Sequence, residues 1–226
     1  MMYFDPVYLL FALPGMILAI LAQIFVKSTF ARYKQVRASS GMSGAQAAHQ
    51  MLSFAGVHSC RIEPVQGFLT DHYDPSSKTL RLSPEVFNGT DLSAIGVACH
   101  EAGHAIQHAE SYTWLSLRST LVPLANFGSH FSYILFIAGY LFSAPALINL
   151  GLLLFSLAVL FTIVTLPVEW NASSRAKRLM VTSGVISARE AAQAGSVLNA
   201  AFMTYVAAAV QALSTLLYYF FRSRRR

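Results

Sequence analysis

Charge is scarce in this chain: 12% of its 226 residues are Asp, Glu, Lys or Arg, about half the share of an ordinary globular domain. With 55% hydrophobic residues and a mean hydropathy of +0.50, that scarcity excludes a freely soluble enzyme and leaves room only for a small soluble part. Cysteine is almost absent. Cys60 and Cys99 form no CxxC pair and nothing asks them to bridge, so two reduced thiols are expected. No basic residue precedes the first apolar run, where Asp5 stands instead, so that run is expected to stay in the membrane rather than act as a cleaved signal. Internal repeats are lacking too. The net charge of +6 and pI near 9.5 come from Lys and Arg beside apolar runs, a membrane-anchor pattern, and no nucleic-acid partner is expected.

Val7 to Val26 carries no charge and is long enough, at about 1.5 Å per helical residue, to cross a hydrocarbon core of roughly 30 Å. It reads as a first membrane helix kinked at Pro14. Lys27, Arg32, Lys34 and Arg37 follow it, which places residue 27 onward in the cytoplasm and the N-terminus outside. Residues 39–111 are the polar stretch on which chemistry can sit. Ser43 is a candidate N-cap for a short helix ended by Gly56; Arg61 to Val65, Phe68 to Tyr73 and Thr79 to Leu82 read as strands with a turn at Asp74-Pro75-Ser76-Ser77; a longer helix starts at Asp91 or Ser93. Ser119 to Phe142 and Ala146 to Leu166 read as a membrane hairpin, which returns Arg175, Lys177 and Arg178 to the cytoplasm. Ala200 to Phe221 is expected to cross a fourth time, although this carries the basic tail Arg222, Arg224, Arg225 and Arg226 outside, against the positive-inside rule. The implied division is 1–38, first membrane helix and basic flank; 39–112, a cytoplasmic α+β unit that includes the helix from Asp91 or Ser93; and 113–226, the membrane hairpin, a helix that could bring a further functional residue back to the cytoplasmic side, and the last membrane helix.

The segment from Ala98 to His108 contains His100-Glu101-Ala102-Gly103-His104, an HExxH motif. Histidines at i and i+4 share one helix face and can bind one zinc ion. Zinc lowers the pKa of a coordinated water to about 7, which lets Glu101 act as general base for peptide hydrolysis. The competing reading is a helix with two solvated histidines, and the expected neighbouring sheet argues against it.

A catalytic zinc needs a third protein ligand and an open position. His108 lies about 12 Å along the helix from His100, too far to close the shell. The metzincin pattern is absent. A carboxylate remains. Glu63 and Glu85 precede the motif in strand-like and helix-start contexts, Glu110 follows too closely on the same helix, and Glu169 lies at the cytoplasmic end of the third membrane helix, where the hairpin returns it to the side of His100 and His104. Topology selects Glu169, against the alternative of an interfacial charge beside a membrane helix.

The stretches Gly67-Phe68-Leu69-Thr70-Asp71-His72-Tyr73-Asp74-Pro75, Leu80-Arg81-Leu82-Ser83, His100 to His108, and Glu169-Trp170-Asn171-Ala172-Ser173 with Arg175-Ala176 closely resemble the YugP-like neutral zinc metallopeptidases of bacteria over nearly the whole chain. The resemblance implies a membrane-embedded zinc peptidase related in site logic to the membrane gluzincins, with His100, His104 and Glu169 as ligands and Glu101 as base. In the related HtpX-type peptidases an Asp usually stands where this chain has Ser173, so no supporting role of that Asp carries over.

The remaining candidates are weaker. Phe68 to Tyr73 could hold an extended substrate by strand addition or be a plain scaffold hairpin. Asp71, His72, Tyr73 and Asp74 alternate in direction and do not make a second metal site. Tyr73, His72 or Arg175 could stabilise the oxyanion. His130, in a membrane stretch beside Ser129 and Ser132, is read as bonding a neighbouring helix. Cys99 adjoins His100 but points to another helix face.

These readings converge on a mostly α integral membrane protein of about four transmembrane helices with a small cytoplasmic α+β gluzincin-like peptidase unit. Its expected activity is zinc-dependent endopeptidase action on peptide or protein substrates, membrane proteins among them, from the cytoplasmic side of the cell membrane. The rivals are a noncatalytic membrane adaptor with a structural zinc and, more weakly, a transporter, for which the apolar segments carry too few charges.

Overall fold

The computed structural model describes residues 6–67 and 70–224. In chain order these form α1 (Pro6–Tyr33), α2 (Gly44–Phe54), β1 (Arg61–Pro64), β2 (His72–Asp74), β3 (Thr79–Leu82), α3 (Pro84–Asn88), α4 (Leu92–Ala109), α5 (Thr113–Leu141), α6 (Pro145–Thr182) and α7 (Ala188–Arg224). The protein is thus mostly helical with one small sheet. Helices over Val7–Tyr33, Thr113–Leu141, Pro145–Thr182 and Ala188–Ser223 are long and apolar enough to cross a membrane. They outrun the apolar stretches read from the sequence because the polar residues beyond each stretch continue the helix. In α6 this happens through Pro167, which removes one hydrogen bond from the ladder without ending the helix. Glu169, Asn171 and Ser173 therefore share one helix with the apolar segment before them.

The chain divides into two compact units. One comprises 24–115 and 168–202, and contains the sheet, in the order β1-β3-β2. Leu80 and Leu82 of the central strand are fully buried. β1 runs parallel to β3, with Ile62 beside Leu80, and β2 runs antiparallel at the edge, with Tyr73 beside Leu80. The edge strand expected at 68–73 is displaced: it begins at His72 and ends at Asp74, while Phe68 and Leu69 lie outside the described residues. Asp74 ends it. Its carboxylate accepts from the Ser76 amide and hydroxyl, from the Ser77 hydroxyl and from Arg81, an Asx-type turn that holds this acid well below the usual carboxylate range.

Over the sheet lie α2 and α4. The N-terminus of α2 is closed by a capping box between Ser43 and Gln46, and its face of Ala47, Ala48, Met51 and Leu52 is buried. α4 is buried nearly all round, through Ile95, Ala98, Cys99, Ala102, Ala105 and Ile106. Small residues let helices come close to it. A Cβ on Gly103 would lie 2.8 Å from the Ala172 carbonyl oxygen, so that position admits only glycine without a shift of α6. Ser93 ties the helix to the end of α1 by donating to the Phe30 carbonyl over 2.8 Å.

The second unit comprises 1–23, 116–167 and 203–226. Its core is Phe136, Ile148, Phe155 and Val159, with Phe136 stacked on Tyr219 at 4.1 Å between centroids. His130 does not bond a neighbouring helix through its Nδ1, as the sequence suggested. That atom meets the Asn126 carbonyl one turn earlier on its own helix, 2.8 Å away, because an i−4 carbonyl is within reach of any short polar side chain.

Asp91 caps α4 by accepting from the amides of Ser93 and Ala94. Asp91→Ala is expected to lower stability by about 1 kcal/mol and Asp91→Asn by less. Unfolding of the detergent-solubilised protein monitored by far-UV circular dichroism checks both.

Candidate metal centre

The site is built from α4, α6 and the edge of the sheet. Four residues apart on α4, His100 and His104 project from one face, with their rings at 83° and centroids 4.8 Å apart. Glu169 comes from α6. Its Oε2 lies 3.1 Å from His100 Nε2 and 3.5 Å from His104 Nε2, and the three candidate ligand atoms all lie within 4.8 Å of one another. The two histidine–carboxylate separations bracket the roughly 3.3 Å edge of a tetrahedron with bonds of about 2.05 Å, the length usual for zinc with nitrogen and oxygen. Glu169 is 1% exposed and His104 7% exposed, so a carboxylate sits out of water and needs positive charge beside it. Burial alone would lower the His104 pKa, yet Glu169 and Glu101 raise it. The residues present fit a divalent cation.

Each histidine is held from behind. His104 Nδ1 lies 2.9 Å from Gln107 Oε1; a carboxamide oxygen only accepts, so Nδ1 carries the proton and Nε2 is left as a lone-pair donor. Gln107 is fully buried, and its Nε2 donates to the Val168 carbonyl and to Asn171 Oδ1, both at 2.9 Å. One side chain thus fixes a tautomer on α4 and fastens α4 to the turn of α6 that bears Glu169. His100 Nδ1 pairs with Ser173 Oγ at 3.1 Å. The position from which no role was carried over does touch the first histidine, through a hydroxyl.

Glu101 stands apart from the three ligands. Its Oε2 accepts from the Tyr73 amide on β2 over 3.1 Å. Desolvation pushes its carboxyl up, with His100 and His104 opposing. The Tyr73 hydroxyl pairs with His108 Nδ1 at 2.8 Å, and burial pushes its phenol up to about 12, so it keeps its proton at neutral pH.

Other candidates are engaged elsewhere. Glu63 pairs with Arg61, Glu85 with Lys34 and Glu110 with Arg175. Asp71 accepts from the Ser83 amide and hydroxyl, and His72 reaches the Thr70 carbonyl; together with the Asp74 turn, these side chains form no second cluster among the described residues. Arg175 also donates to Asn171 Oδ1. Cys99 is buried in the core and Cys60 half-buried, both free, and burial raises both thiols. Gln107 and Asn171 carried no signal the sequence reading used; the available one was a glutamine three residues after a candidate ligand, on the same helix face.

Four membrane-length apolar helices and a buried His-His-Glu cluster define a multi-pass membrane protein with a candidate site for one metal ion. The chain belongs to the family described as "Putative neutral zinc metallopeptidase", which matches residues 8–224. It is 50% identical over 196 residues to "Putative membrane protease YugP" of Bacillus subtilis (strain 168), covering 87% of each chain. The family implies zinc and peptidase activity. No solved structure matches the chain.

Outer-sphere partners of zinc ligands typically account for about 10- to 100-fold in metal affinity. Gln107→Leu, which takes the acceptor from His104 Nδ1 and the donor from the Val168 carbonyl and Asn171 Oδ1, is expected to weaken zinc binding by about that factor, and Gln107→Glu, which keeps the acceptor, by less. Ser173→Ala should cost less than Gln107→Leu, because it leaves the α4–α6 fastening intact. Competition against a fluorescent zinc chelator ranks the variants.

Proposed function

We propose that the protein is a gluzincin-type zinc endopeptidase in which His100, His104 and Glu169 hold the metal and Glu101 is the general base. The observation that carries this reading is the convergence of the three ligand atoms with Glu101 held outside their shell, against the edge strand. When bound, zinc would polarise the scissile carbonyl and make a water acidic enough to lose a proton near pH 7.

The chain's own residues do the rest. Glu101 takes a proton from the attacking water and delivers it to the leaving amine, a role favoured by a carboxyl pKa raised through burial. The Tyr73 amide orients that carboxylate. Edge strand β2 offers a place for an extended peptide to align by strand addition, which would bring the scissile bond to Glu101. The Tyr73 hydroxyl, protonated at neutral pH and carried by the residue whose amide meets Glu101, is the oxyanion donor we favour.

Lys27, Arg32, Lys34, Arg37, Arg175, Lys177 and Arg178 all fall in the unit that contains the site. That clustering supports a cytoplasmic location for it, and membrane or membrane-proximal proteins as substrates.

Glu101→Gln is expected to keep one zinc per chain and lose peptide hydrolysis by at least about 100-fold. Glu169→Ala is expected to lose most of the zinc. Elemental mass spectrometry of the purified proteins beside a quenched-peptide cleavage assay checks both. Full hydrolysis by Glu101→Gln would overturn the assigned base, and retention of zinc by Glu169→Ala the assigned ligand.

A further inference from the structure

The exposed side of α6 changes character along its length. Leu153, Leu160 and Ile163 are exposed apolar residues, and Trp170, Ser174 and Arg178 follow them on the same side of the helix, also exposed. Apolar, then aromatic, then polar is the order in which a crossing helix meets hydrocarbon, headgroups and water. The other long helices change over likewise. On α1 the exposed Ile24 and Phe25 give way to exposed Lys27, Ser28 and Arg32, and on α7 the exposed Asn199 precedes the exposed Met203, Val210 and Leu213. On α5 the exposed Trp114 is the second residue. The chain passes from one compact unit to the other beside each of these positions, between 23 and 24, 115 and 116, 167 and 168, and 202 and 203.

Trp170 is 56% exposed yet held in place. Phe202 meets its ring edge-on at 5.1 Å, and Lys177 Nζ lies 5.6 Å from its centroid while donating to Asn199 Oδ1 over 2.6 Å. An indole with an ammonium beside it fits the boundary between acyl chains and lipid phosphates. Helix arithmetic puts Glu169 at the same level. Ala146 to Leu166 carries no charge and, as helix, is about 31 Å long, one hydrocarbon thickness. Glu169 stands about 4.5 Å further along the axis, and any tilt shortens that height. The headgroup layer of one leaflet is roughly 5–7 Å deep. The third candidate ligand therefore falls inside that layer, next in the chain to the interfacial tryptophan, and His100 and His104 converge on it.

We propose that the metal centre works at the depth of the lipid headgroups, and that its substrates are polypeptides cut within the first few residues beyond a transmembrane segment. The depth rests on the helices and their exposed sides alone; the substrate class rests also on the peptidase reading. An extended chain advances about 3.3 Å per residue, so roughly two residues beyond the hydrocarbon bring a peptide bond level with Glu169. A bond further out has to loop back, at an entropic cost that grows with the length of the loop.

The test uses the full chain in lipid nanodiscs. Trp114→Phe leaves Trp170 as the one tryptophan of the chain, and Trp170→Phe leaves Trp114. Each is read by fluorescence in phosphatidylcholine carrying a nitroxide at the headgroup, near the top of the acyl chain, or near its methyl end. Both tryptophans are expected to be quenched most by one of the first two labels and least by the third. Cleavage is then measured, with the unsubstituted chain, on single-pass substrates that carry one cleavable sequence about three or about thirty residues beyond the transmembrane segment, joined by Gly-Ser spacer. The near sequence is expected to be cut about fivefold faster or more, because the longer spacer spreads the far one over a greater height above the bilayer. Strongest quenching of Trp170 by the methyl-end label, quenching by none of the three, or cleavage of the far sequence as fast as the near one would overturn the proposal. Fluorescence is read without catalysis, so headgroup-level quenching in a chain that hydrolyses neither substrate would sink the peptidase reading and leave the depth standing.

Discussion

The fastening of α4 to α6 is the constraint on which the site depends. HExxH on α4 brings two candidate ligands together by local helix geometry, but the third candidate is Glu169, 65 positions after His104, and its placement is purely tertiary. Gly103 allows the backbones to meet, with the Ala172 carbonyl where a side chain would otherwise be. Gln107 then bonds across the contact to Val168 and Asn171, the residues before and after Glu169 on that turn. A glycine and a glutamine within one turn of His104 thereby set where Glu169 stands.

Such a contact concentrates its risk. Gln107 is fully buried, so each of its hydrogen bonds replaces one that water would have made, and losing one partner strands a polar group in the core. That cost favours a single arrangement of the two helices over a sliding one, and a ligand shell for a small cation needs its donors fixed to within a fraction of an ångström. Burial also selects what can occupy the site. With Glu169 out of water beside two Nε2 atoms, a cation bound by all three must displace any proton on the histidine Nε2 atoms, because zinc and the proton compete for the same lone pairs.

The sequence was most legible where chemistry is local. Spacing alone put His100 and His104 on one face, and turn chemistry marked Asp74 and narrowed the start of α4 to Asp91 or Ser93, of which Asp91 is the cap. Glu169 was reachable because the apolar hairpin constrains which side of a membrane the chain returns to. The parallel pairing of β1 with β3 was not legible, since four-residue strands carry no signature of direction. The run of α6 through Pro167 was legible in part: Glu169 was expected at the end of the third membrane helix, but the continuation to Thr182 was not, because a proline reads as a boundary unless packing on both sides is known to hold the helix. Gln107, Asn171 and Ser173 were invisible as partners for a related reason: which residues of α6 face α4 is decided by the rotation of one helix against another, and the sequence reading fixed no such rotation.

Scarcity of charge sharpens the case for a metal. Of the ten acidic residues in the chain, Asp5 lies outside the described residues, and each of the others has an identified partner. Asp74, Glu63, Glu85 and Glu110 meet arginine or lysine. Asp71, Asp91 and Glu190 accept from hydroxyls and amides, as caps and turns require. Glu101 accepts from one amide, and Glu169, the most deeply buried acid, faces the imidazoles of His100 and His104. Two imidazoles that are neutral unless protonated and a buried carboxylate, brought together from α4 and α6, are the donor set of a divalent-cation site. A divalent ion bound there competes with the histidine protons, so its hold weakens as pH falls through the range in which the imidazoles protonate.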